Sequence, residues 1–207
     1  MKIIKRTLVL VPLVLIGLIV ALVIAINVSP KPFIYYLQHN AALNQAPKKP
    51  KQYNEYRAKV TVMRNRTYAS KYKSSVLDIF YNKANKQRPT IVWAHGGGFV
   101  AGDKRGTDYW AMKMAASGYN VVSIDYSLAP DNHYPDQVNQ MADAIRDVVK
   151  KYGRQLNIKQ IIVGGDSAGA HISSQVIAAQ FNPKLAKNLN YVPVIGTKIV
   201  GGLLYCG

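Results

Sequence analysis

Two glycine-framed motifs carry the residues of this chain that could do chemistry. His95-Gly96-Gly97-Gly98-Phe99 follows one short apolar run, and Gly165-Asp166-Ser167-Ala168-Gly169 follows another. The second motif has the G-x-S-x-G pattern that exposes a serine hydroxyl on a sharp turn between a strand and a helix. The first has the pattern of a loop whose amide groups stabilise an oxyanion. Together, in this order, they predict acyl transfer.

The second motif has the residue types that a serine nucleophile needs. A turn from the strand Gln160–Gly164 into a following helix would present the hydroxyl of Ser167 at the carboxyl edge of a sheet. Gly165 and Gly169 remove side chains where this turn brings backbone segments together. The helix N-terminus adds unpaired amides and a partial positive charge beside the reacting centre. The amide of Ala168 is therefore predicted to donate to an oxyanion.

The glycine run at 96–98 is ambiguous when it is considered alone, because three glycines are equally typical of a flexible turn. Ahead of a serine motif, they would let backbone amides approach the developing negative charge without steric obstruction. Loss of one such donor typically lowers the rate by about 10²–10³. We therefore expect this loop to complete an oxyanion hole.

Short apolar runs alternate with segments of helical periodicity over most of the chain. The strand candidates are Ala58–Arg64, Val76–Tyr81, Thr90–Ala94, Asn120–Tyr126, Gln160–Gly164 and Lys198–Leu204. The helix candidates are Thr107–Ser117, Pro135–Tyr152 and Ala168–Gln180. Strands that alternate with helices favour the α/β class, with a mainly parallel sheet flanked by helices.

Three motifs together resemble the hormone-sensitive-lipase-like branch of the α/β-hydrolases, which includes carboxylesterases and acetyl esterases. They are His95–Phe99, Gly165–Gly169 and the block Asp125-Tyr126-Ser127-Leu128-Ala129-Pro130 with the later pair Tyr134-Pro135. The resemblance covers about Val76 to Gly207. Ser127 stands where the family usually has arginine, which affects a structural contact rather than the chemistry. The resemblance implies an α/β-hydrolase fold.

The resemblance also implies a role for each matching residue. Ser167 would be the nucleophile, and the amides of Gly97, Gly98 and Ala168 would be the oxyanion donors. His95 would brace the glycine loop rather than exchange protons, and Asp166 would favour the start of the helix rather than serve as the triad acid. The supporting positions are His95, Gly96, Gly165, Asp166 and Gly169.

The acid and the base of a serine triad have no candidate in the expected places. These residues normally follow the serine in the order acid, then histidine, but residues 168–207 contain no Asp or Glu and only one histidine, His171. His171 lies one helical turn from Ser167. Because no carboxylate follows it in the sequence, a packing or polar role on the helix face is expected for it rather than the role of the base. His39 and His133 precede the serine. We therefore expect the triad acid and base to be absent from this chain, with the hydrolase domain incomplete at its C-terminus.

The N-terminal region has the composition of a membrane anchor. Leu8–Ile26 is an apolar segment of 19 residues preceded by Lys2, Lys5 and Arg6, and a helix of this length spans about 28 Å, close to the hydrocarbon core of a bilayer. A cleaved signal peptide is the alternative, but its apolar region is usually about 7–15 residues. The positive-inside tendency predicts a single-pass protein with a cytoplasmic N-terminus and an extracytoplasmic hydrolase domain. Secretion after signal cleavage stays open.

Proline and lysine mark the boundaries between regions. Ser29-Pro30-Lys31-Pro32 ends the apolar helix, because proline lacks the amide donor that a helix needs. We expect three regions: residues 1–28 with the basic end and the transmembrane helix, residues 29–51 as a basic, proline-containing linker, and residues 52–207 as the N-terminal portion of a hydrolase domain.

The net charge of +17 is unevenly distributed. Lys31–Arg88 contains thirteen Lys or Arg residues against Glu55 and Asp78, which favours contact with anionic surfaces such as lipid headgroups, although a solvated basic surface is the simpler explanation. No nucleic acid partner is expected for an extracytoplasmic domain.

The single cysteine, Cys206, excludes an intrachain disulfide and a cysteine-rich zinc site. No metal or cofactor is implied.

Three hypotheses about function follow. The first is a membrane-anchored hydrolase of small carboxylic esters that works through an acyl-serine intermediate. The second is a catalytically inactive relic or envelope-binding module, which the missing acid and base favour for this chain. The third is a peptidase on the same fold, although the loop at 95–99 favours esters.

Overall fold

The computed structural model describes residues 2–40, 48–82, 84 and 88–206. The chain divides into two compact units, residues 1–43 and residues 44–207. Each unit is described by itself below.

The first unit is helical. Helix α1 spans Lys2–Val28 and continues through Pro12, and its stretch Leu10–Val28 is long and apolar enough to cross a membrane, with none of that stretch buried. The helix ends beside Pro30, as the sequence predicts. A second helix, α2, then begins at Lys31 and ends at His39, so the segment 29–51, which was expected to be a linker, contains helical structure. Residues 41–47 of that segment lie outside the described residues.

The second unit contains six strands, five α-helices and a short 3-10 helix in the part of the chain that the structure describes. The strands are β1 Thr61–Thr67, β2 Val76–Tyr81, β3 Thr90–Ala94, β4 Asn120–Ile124, β5 Gln160–Asp166 and β6 Lys198–Tyr205. The helices are α3 Tyr53–Lys59, α4 Asp108–Ala116, α5 Asp136–Lys151, α6 Ala168–Phe181 and α7 Pro183–Asn188, with the 3-10 helix at Lys104–Thr107.

The six strands form one sheet in the order β1-β2-β4-β3-β5-β6. Strand β2 runs antiparallel to both of its neighbours, and the pairs β3–β4, β3–β5 and β5–β6 are parallel. Ala94 at the end of β3 pairs with Gly165 near the end of β5. Both glycine-framed motifs therefore leave the sheet side by side at its carboxyl edge, where α/β proteins place their ligands.

Helices cover both faces of the sheet. Met141, Ile145 and Val148 of α5 pack with α6 in the larger hydrophobic cluster. On the other face, Met112 and Ala115 of α4 belong to a smaller cluster. Burial of both faces explains why the parallel strands are continuous apolar runs rather than alternating ones. The predicted α/β architecture, with a mainly parallel sheet flanked by helices, is confirmed.

Four of the six predicted strands differ from the observed ones at an end. Strand β1 begins at Thr61 rather than Ala58, because α3 continues through Lys59. Strand β4 ends at Ile124, two residues before the predicted end at Tyr126. Strands β5 and β6 run longer than predicted, because Asp166 still pairs with Tyr205.

Helix α7 is not predicted from the sequence. It has only six residues, which is too few to establish a helical period. Its start is nevertheless fixed locally: the side chain of Asn182 accepts a hydrogen bond from the amide of Leu185 at 3.0 Å, and Pro183 occupies the first turn.

Candidate active site

Ser167 lies on the turn between β5 and α6 with its backbone in an unusual conformation. Its φ of 49° and ψ of −116° place it in the left-handed half of the dihedral map, where a residue with a Cβ is strained. The amide of Ser167 donates to the carbonyl of Tyr205 on β6 at 2.7 Å. The turn is therefore fixed to the sheet while the residue itself stays exposed.

Two glycines let the turn fit against the end of β3. A Cβ placed on Gly169 would overlap the carbonyl group of Ala94 and lie 2.7 Å from the carbonyl oxygen of His95. A Cβ on Gly165 would lie 2.6 Å from the carbonyl oxygen of Ala94. Contacts under 3.0 Å are closer than real side chains approach. The serine motif and the loop after β3 are consequently in direct backbone contact.

The glycine loop exposes its amides beside this turn. Gly97 and Gly98 have φ values of 122° and 61°, which glycine adopts without penalty. The carbonyl of Gly97 accepts hydrogen bonds from the amides of Val100 and Ala101 at 3.1 and 2.9 Å, which closes the loop. Within the described part of the chain, the amides of Gly97 and Gly98 donate to no other group. They are available to a ligand.

His95 is buried behind this loop, and both its ring and its backbone carbonyl are held by neighbouring groups. Its Nδ1 donates to the carbonyl of Gly96 at 2.7 Å, and its ring stacks on Tyr126 with 4.3 Å between ring centroids. The hydroxyl of Tyr126 in turn donates to the carbonyl of His95 at 2.8 Å. Burial lowers the pKa of the imidazole, so the ring stays neutral at neutral pH. These contacts suit a brace for the loop.

Asp166 joins the two motifs through its side chain. Its Oδ1 accepts a hydrogen bond from the indole Nε1 of Trp93 at 3.1 Å, and a Cβ on Gly96 would overlap its Oδ2. Its expected role was to favour the start of α6. The carboxylate bonds to Trp93, and the cap residue of α6, Ser167, makes no side-chain cap hydrogen bond. A role of Asp166 at the start of α6 stays a prediction.

A buried charge network lies behind the loop, and sequence reasoning did not find it. Asp125 accepts a hydrogen bond from the amide of Lys104 at 2.7 Å and lies 3.5 Å from its Nζ. The same ammonium lies 3.7 Å from Asp78 and donates to Asn65 at 3.0 Å. Burial raises the pKa of the Asp125 carboxyl. The sequence carries no signal of this network, because Lys104 lies among charged residues that are typical of a solvated loop.

Ser127, which stands where the resemblance leads us to expect arginine, is buried. Its hydroxyl donates to the carbonyl of Lys73 at 2.6 Å, and its amide donates to the side chain of Gln140 at 2.8 Å. Gln140 also donates to the carbonyl of Lys73, at 2.7 Å. A small buried serine and a buried glutamine therefore hold this segment in place.

Outside the loop, the imidazole of His171 does not reach the nucleophile: its amide donates to the carbonyl of Ser167 at 3.0 Å, but its ring faces elsewhere. His171 is exposed on α6, with its ring edge-on to Phe99 and 6.0 Å between centroids. Among the described residues, no hydrogen bond connects His171 with the hydroxyl of Ser167. His133 is exposed ahead of α5, and His39 belongs to the first unit.

The arrangement supplies an exposed hydroxyl and two sources of amides that can face the same developing charge. One source is Gly97 and Gly98, and the other is Ala168 at the first position of α6, where helix amides have no partner within the helix. This combination suits attack on a carbonyl carbon with stabilisation of the resulting oxyanion. Within the described residues, no group of three His, Cys, Asp or Glu side chains is placed to hold a metal ion.

Comparison with known proteins supports an alpha/beta hydrolase fold for this chain. Residues 91–200 match the family described as having the alpha/beta hydrolase fold. Similar sequences include Esterase LipI of Mycobacterium tuberculosis, 38% identical over 44% of this chain and 29% of its own length. The probable carboxylesterase 6 of Arabidopsis thaliana is 34% identical over 46% of this chain and 31% of its own length.

Solved structures give the same fold. Esterase B from Lactobacillus rhamnosis superposes with a TM-score of 0.65 and 23% identity, covering 74% of this chain and 51% of its own. The chain spans about a third of the length of the curated relatives named here. The family match covers more than half of the chain. The chain therefore belongs to the alpha/beta hydrolase fold family, and the predicted resemblance to the esterases of that family is confirmed.

Proposed function

We propose that this protein is a membrane-anchored serine hydrolase that cleaves carboxylic esters with short acyl groups through an acyl-serine intermediate. The observation that carries the proposal is the position of Ser167, exposed on a strained turn at the N-terminus of α6. The unbonded amides of Gly97 and Gly98 belong to a loop that is packed against the same turn.

In the proposed reaction, the hydroxyl oxygen of Ser167 attacks the ester carbonyl carbon. The charge that develops on the carbonyl oxygen is stabilised by the amides of Gly97, Gly98 and Ala168. Collapse of this tetrahedral species breaks the bond to the alcohol, which leaves with a proton, and water then hydrolyses the acyl-serine. The side chains of His95 and Asp166 take no part in these bond changes. They hold the glycine loop and the serine turn in place.

The reaction also needs a base that takes the proton of Ser167 and returns it to the alcohol. His171 is directed at Phe99 and has no following carboxylate in the sequence, so we do not assign it this role. We assign neither the base nor the carboxylate that would orient it to a residue of this chain.

A second candidate is an inactive relic or a module that binds anionic envelope material. The specific observation that favours it is the absence of any Asp or Glu between residues 167 and 207. A serine with an oxyanion hole alone retains only weak catalysis. The basic segment 31–88 would then supply the contact with an anionic surface.

The membrane part of the proposal rests on helix α1. Its stretch Leu10–Val28 is apolar, unburied and close to the N-terminus, which supports a single-pass anchor with the N-terminus in the cytoplasm. A cleaved signal sequence has the same appearance. The N-terminal sequence of the mature protein distinguishes the two alternatives. An anchored protein keeps the residues of α1, whereas a cleaved signal sequence loses them.

The first experiment is the intact mass of the endogenous protein, isolated from its own membranes through an epitope tag inserted near Lys48. A mass well above 22.9 kDa, after allowance for the tag, supports a complete hydrolase that includes the acid and the base. A mass that matches residues 1–207 supports the inactive alternative.

Ester turnover by the same isolated protein tests the chemistry. Ser167→Ala should abolish hydrolysis of a nitrophenyl acetate ester, whereas Ser174→Ala, a serine on the same helix that donates to the carbonyl of His171, should retain it. Equal turnover by both variants would contradict the assignment of Ser167. Parallel turnover of an aminoacyl amide would identify a peptidase instead.

A further inference from the structure

We propose that α2 is an interfacial helix whose apolar face lies in the headgroup layer of a lipid bilayer, directly beside the end of α1. The inference rests on the membrane anchor of the proposed function and adds a second contact with the same membrane. It assigns residues 31–39 to lipid rather than to a linker in water.

The side chains of α2 divide into two faces. At 100° per residue, Phe33, Tyr36 and Leu37 share one side of the helix, whereas Lys31 and Gln38 lie on the other. None of the residues of α2 is buried. Phe33 and Tyr36 on the apolar side are exposed, and an amphipathic helix that exposes apolar side chains is typical of helices that lie in the plane of a membrane.

The exposed residues are of the types that prefer the border between lipid and water. The exposed fractions of Phe33, Tyr35 and Tyr36 are 48%, 63% and 59%. A tyrosine ring is apolar at its body and polar at its hydroxyl, and such rings collect at both interfaces of membrane proteins. Tyr35 lies near Lys31 on the polar side, with its ring stacked on His39. Phe33 and Tyr36, by contrast, place two large exposed aromatic rings on the apolar side, which is unfavourable on a surface that meets only water.

The distance along the chain keeps α2 at the membrane surface. Helix α1 ends at Val28 and α2 begins at Lys31, and three residues of chain reach at most about 11 Å. The amide of Ser29 still bonds to the carbonyl of Ala25 at 2.9 Å, and the amide of Ile34 bonds to the carbonyl of Pro30 at 3.0 Å. The connection is therefore short and hydrogen-bonded, and α2 begins inside the layer of headgroups.

The charge of this region complements an anionic bilayer. The first acidic residue of the chain is Glu55, and the segment between α1 and Glu55 contains four Lys residues. Lys31 starts α2, and Lys48, Lys49 and Lys51 follow it in the sequence. Basic residues close to the end of a membrane span are attracted to anionic lipid headgroups. These observations favour lipid over a second copy of the same basic segment, which would be repelled.

Spin labels on the full-length chain test the proposal. In a Cys206→Ser background, Phe33→Cys and Tyr36→Cys report on the apolar face, Gln38→Cys on the polar face, and Val20→Cys on α1. The chain is placed in vesicles of phosphatidylcholine and phosphatidylglycerol. Collision rates with oxygen, which concentrates in lipid, are compared with those of a water-soluble nickel complex.

We expect the ratio of the oxygen collision rate to the nickel collision rate to be several-fold higher for the labels at 33 and 36 than for the label at 38. The label at 20 should favour oxygen most. Equal access of nickel at 36 and 38, with 20 still in lipid, would overturn the interfacial helix and leave the anchor intact. Water access at 20 would overturn the anchor and, with it, this inference. Spectral broadening at 36 that disappears on dilution with unlabelled chain would show a second copy on this face and would also overturn the proposal.

Discussion

The carboxylate of Asp166 accepts a hydrogen bond from the indole of Trp93 at 3.1 Å. Trp93 belongs to β3 and Asp166 ends β5, so this bond joins the two strands where they lead into the two motifs. Trp93 also packs on Trp110 of α4, with 4.1 Å between ring centroids. The hydroxyl of Ser167 and the amides of the glycine loop are thus positioned by one connected group of side chains.

The close packing of Gly169 on β3 predicts a large effect of one added methyl group. Gly169→Ala would overlap the carbonyl of Ala94, and overpacking of this kind typically costs about 1–3 kcal/mol. Gly106→Ala is the matched control, because nothing lies within 4 Å of a Cβ at that position. Urea unfolding of the full chain in detergent is followed by the fluorescence of its two tryptophans. It should show a lower unfolding midpoint for Gly169→Ala and an unchanged midpoint for Gly106→Ala. Equal midpoints for the two variants would show that the backbone contact is looser than described.

The backbone of Ser167 predicts that this residue lowers the stability of the fold. A Cβ at its dihedral angles costs about 1–3 kcal/mol, so Ser167→Gly should be more stable than Ser167→Ala by about 1 kcal/mol, after allowance for the greater flexibility of glycine in the unfolded chain. Both variants lack the hydroxyl. The comparison of their unfolding midpoints therefore isolates the strain, and a glycine variant less stable than the alanine variant would contradict it.

The amino-acid pattern predicted the parts of this fold that depend on local signals. Strands β2 and β3 begin and end where their apolar runs predict, and the two motifs leave the same edge of the sheet because parallel neighbours end together. The N-terminal helix likewise follows from apolar length. In each case the information lies within a few consecutive residues.

The parts that were not predicted depend on residues distant in the chain. Residues 58–60 resemble a strand, but the preceding residues form α3, in which Tyr53 packs edge-on against Tyr109 of the distant α4 at 5.3 Å. The burial of Lys104 follows from acids at positions 78 and 125. Nothing in the local sequence shows which distant carboxylates will meet a given lysine.

The charge network behind the loop predicts a large loss of stability when Lys104 is changed and a small one when the adjacent Arg105 is changed. Lys104 is 7% exposed and Asp78 is 1% exposed, so Lys104→Met leaves buried carboxylates with one partner fewer and should cost about 3–5 kcal/mol. Arg105, which pairs with Asp103 in an exposed position, should lose no more than about 1 kcal/mol when changed to alanine. Urea unfolding of the two variants measures the contrast. A small loss for Lys104→Met would show that Arg64, which also bonds to Asp78 at 2.7 Å, satisfies that carboxylate alone.

The buried imidazole of His95 predicts a loss of stability in mild acid. Because burial lowers its pKa in the folded protein, the unfolded chain binds a proton first as the pH falls through the ordinary value of 6.5. This histidine therefore lowers the free energy of unfolding by up to about 1.4 kcal/mol per pH unit below that value. Asp125 near the imidazole has the opposite effect, because burial raises its pKa and the folded protein binds its proton first.

The variant His95→Asn isolates the contribution of the imidazole, since its amide can still donate to the carbonyl of Gly96 while it cannot be protonated in this range. We expect the free energy of unfolding of the variant to fall less steeply than that of the wild type between about pH 7 and pH 5. His133→Asn, at an exposed loop position, serves as the control and should follow the wild type. If His95→Asn and the wild type lose stability in parallel, the imidazole is charged in the folded protein, and the stacking on Tyr126 must then be that of an imidazolium on a phenol ring.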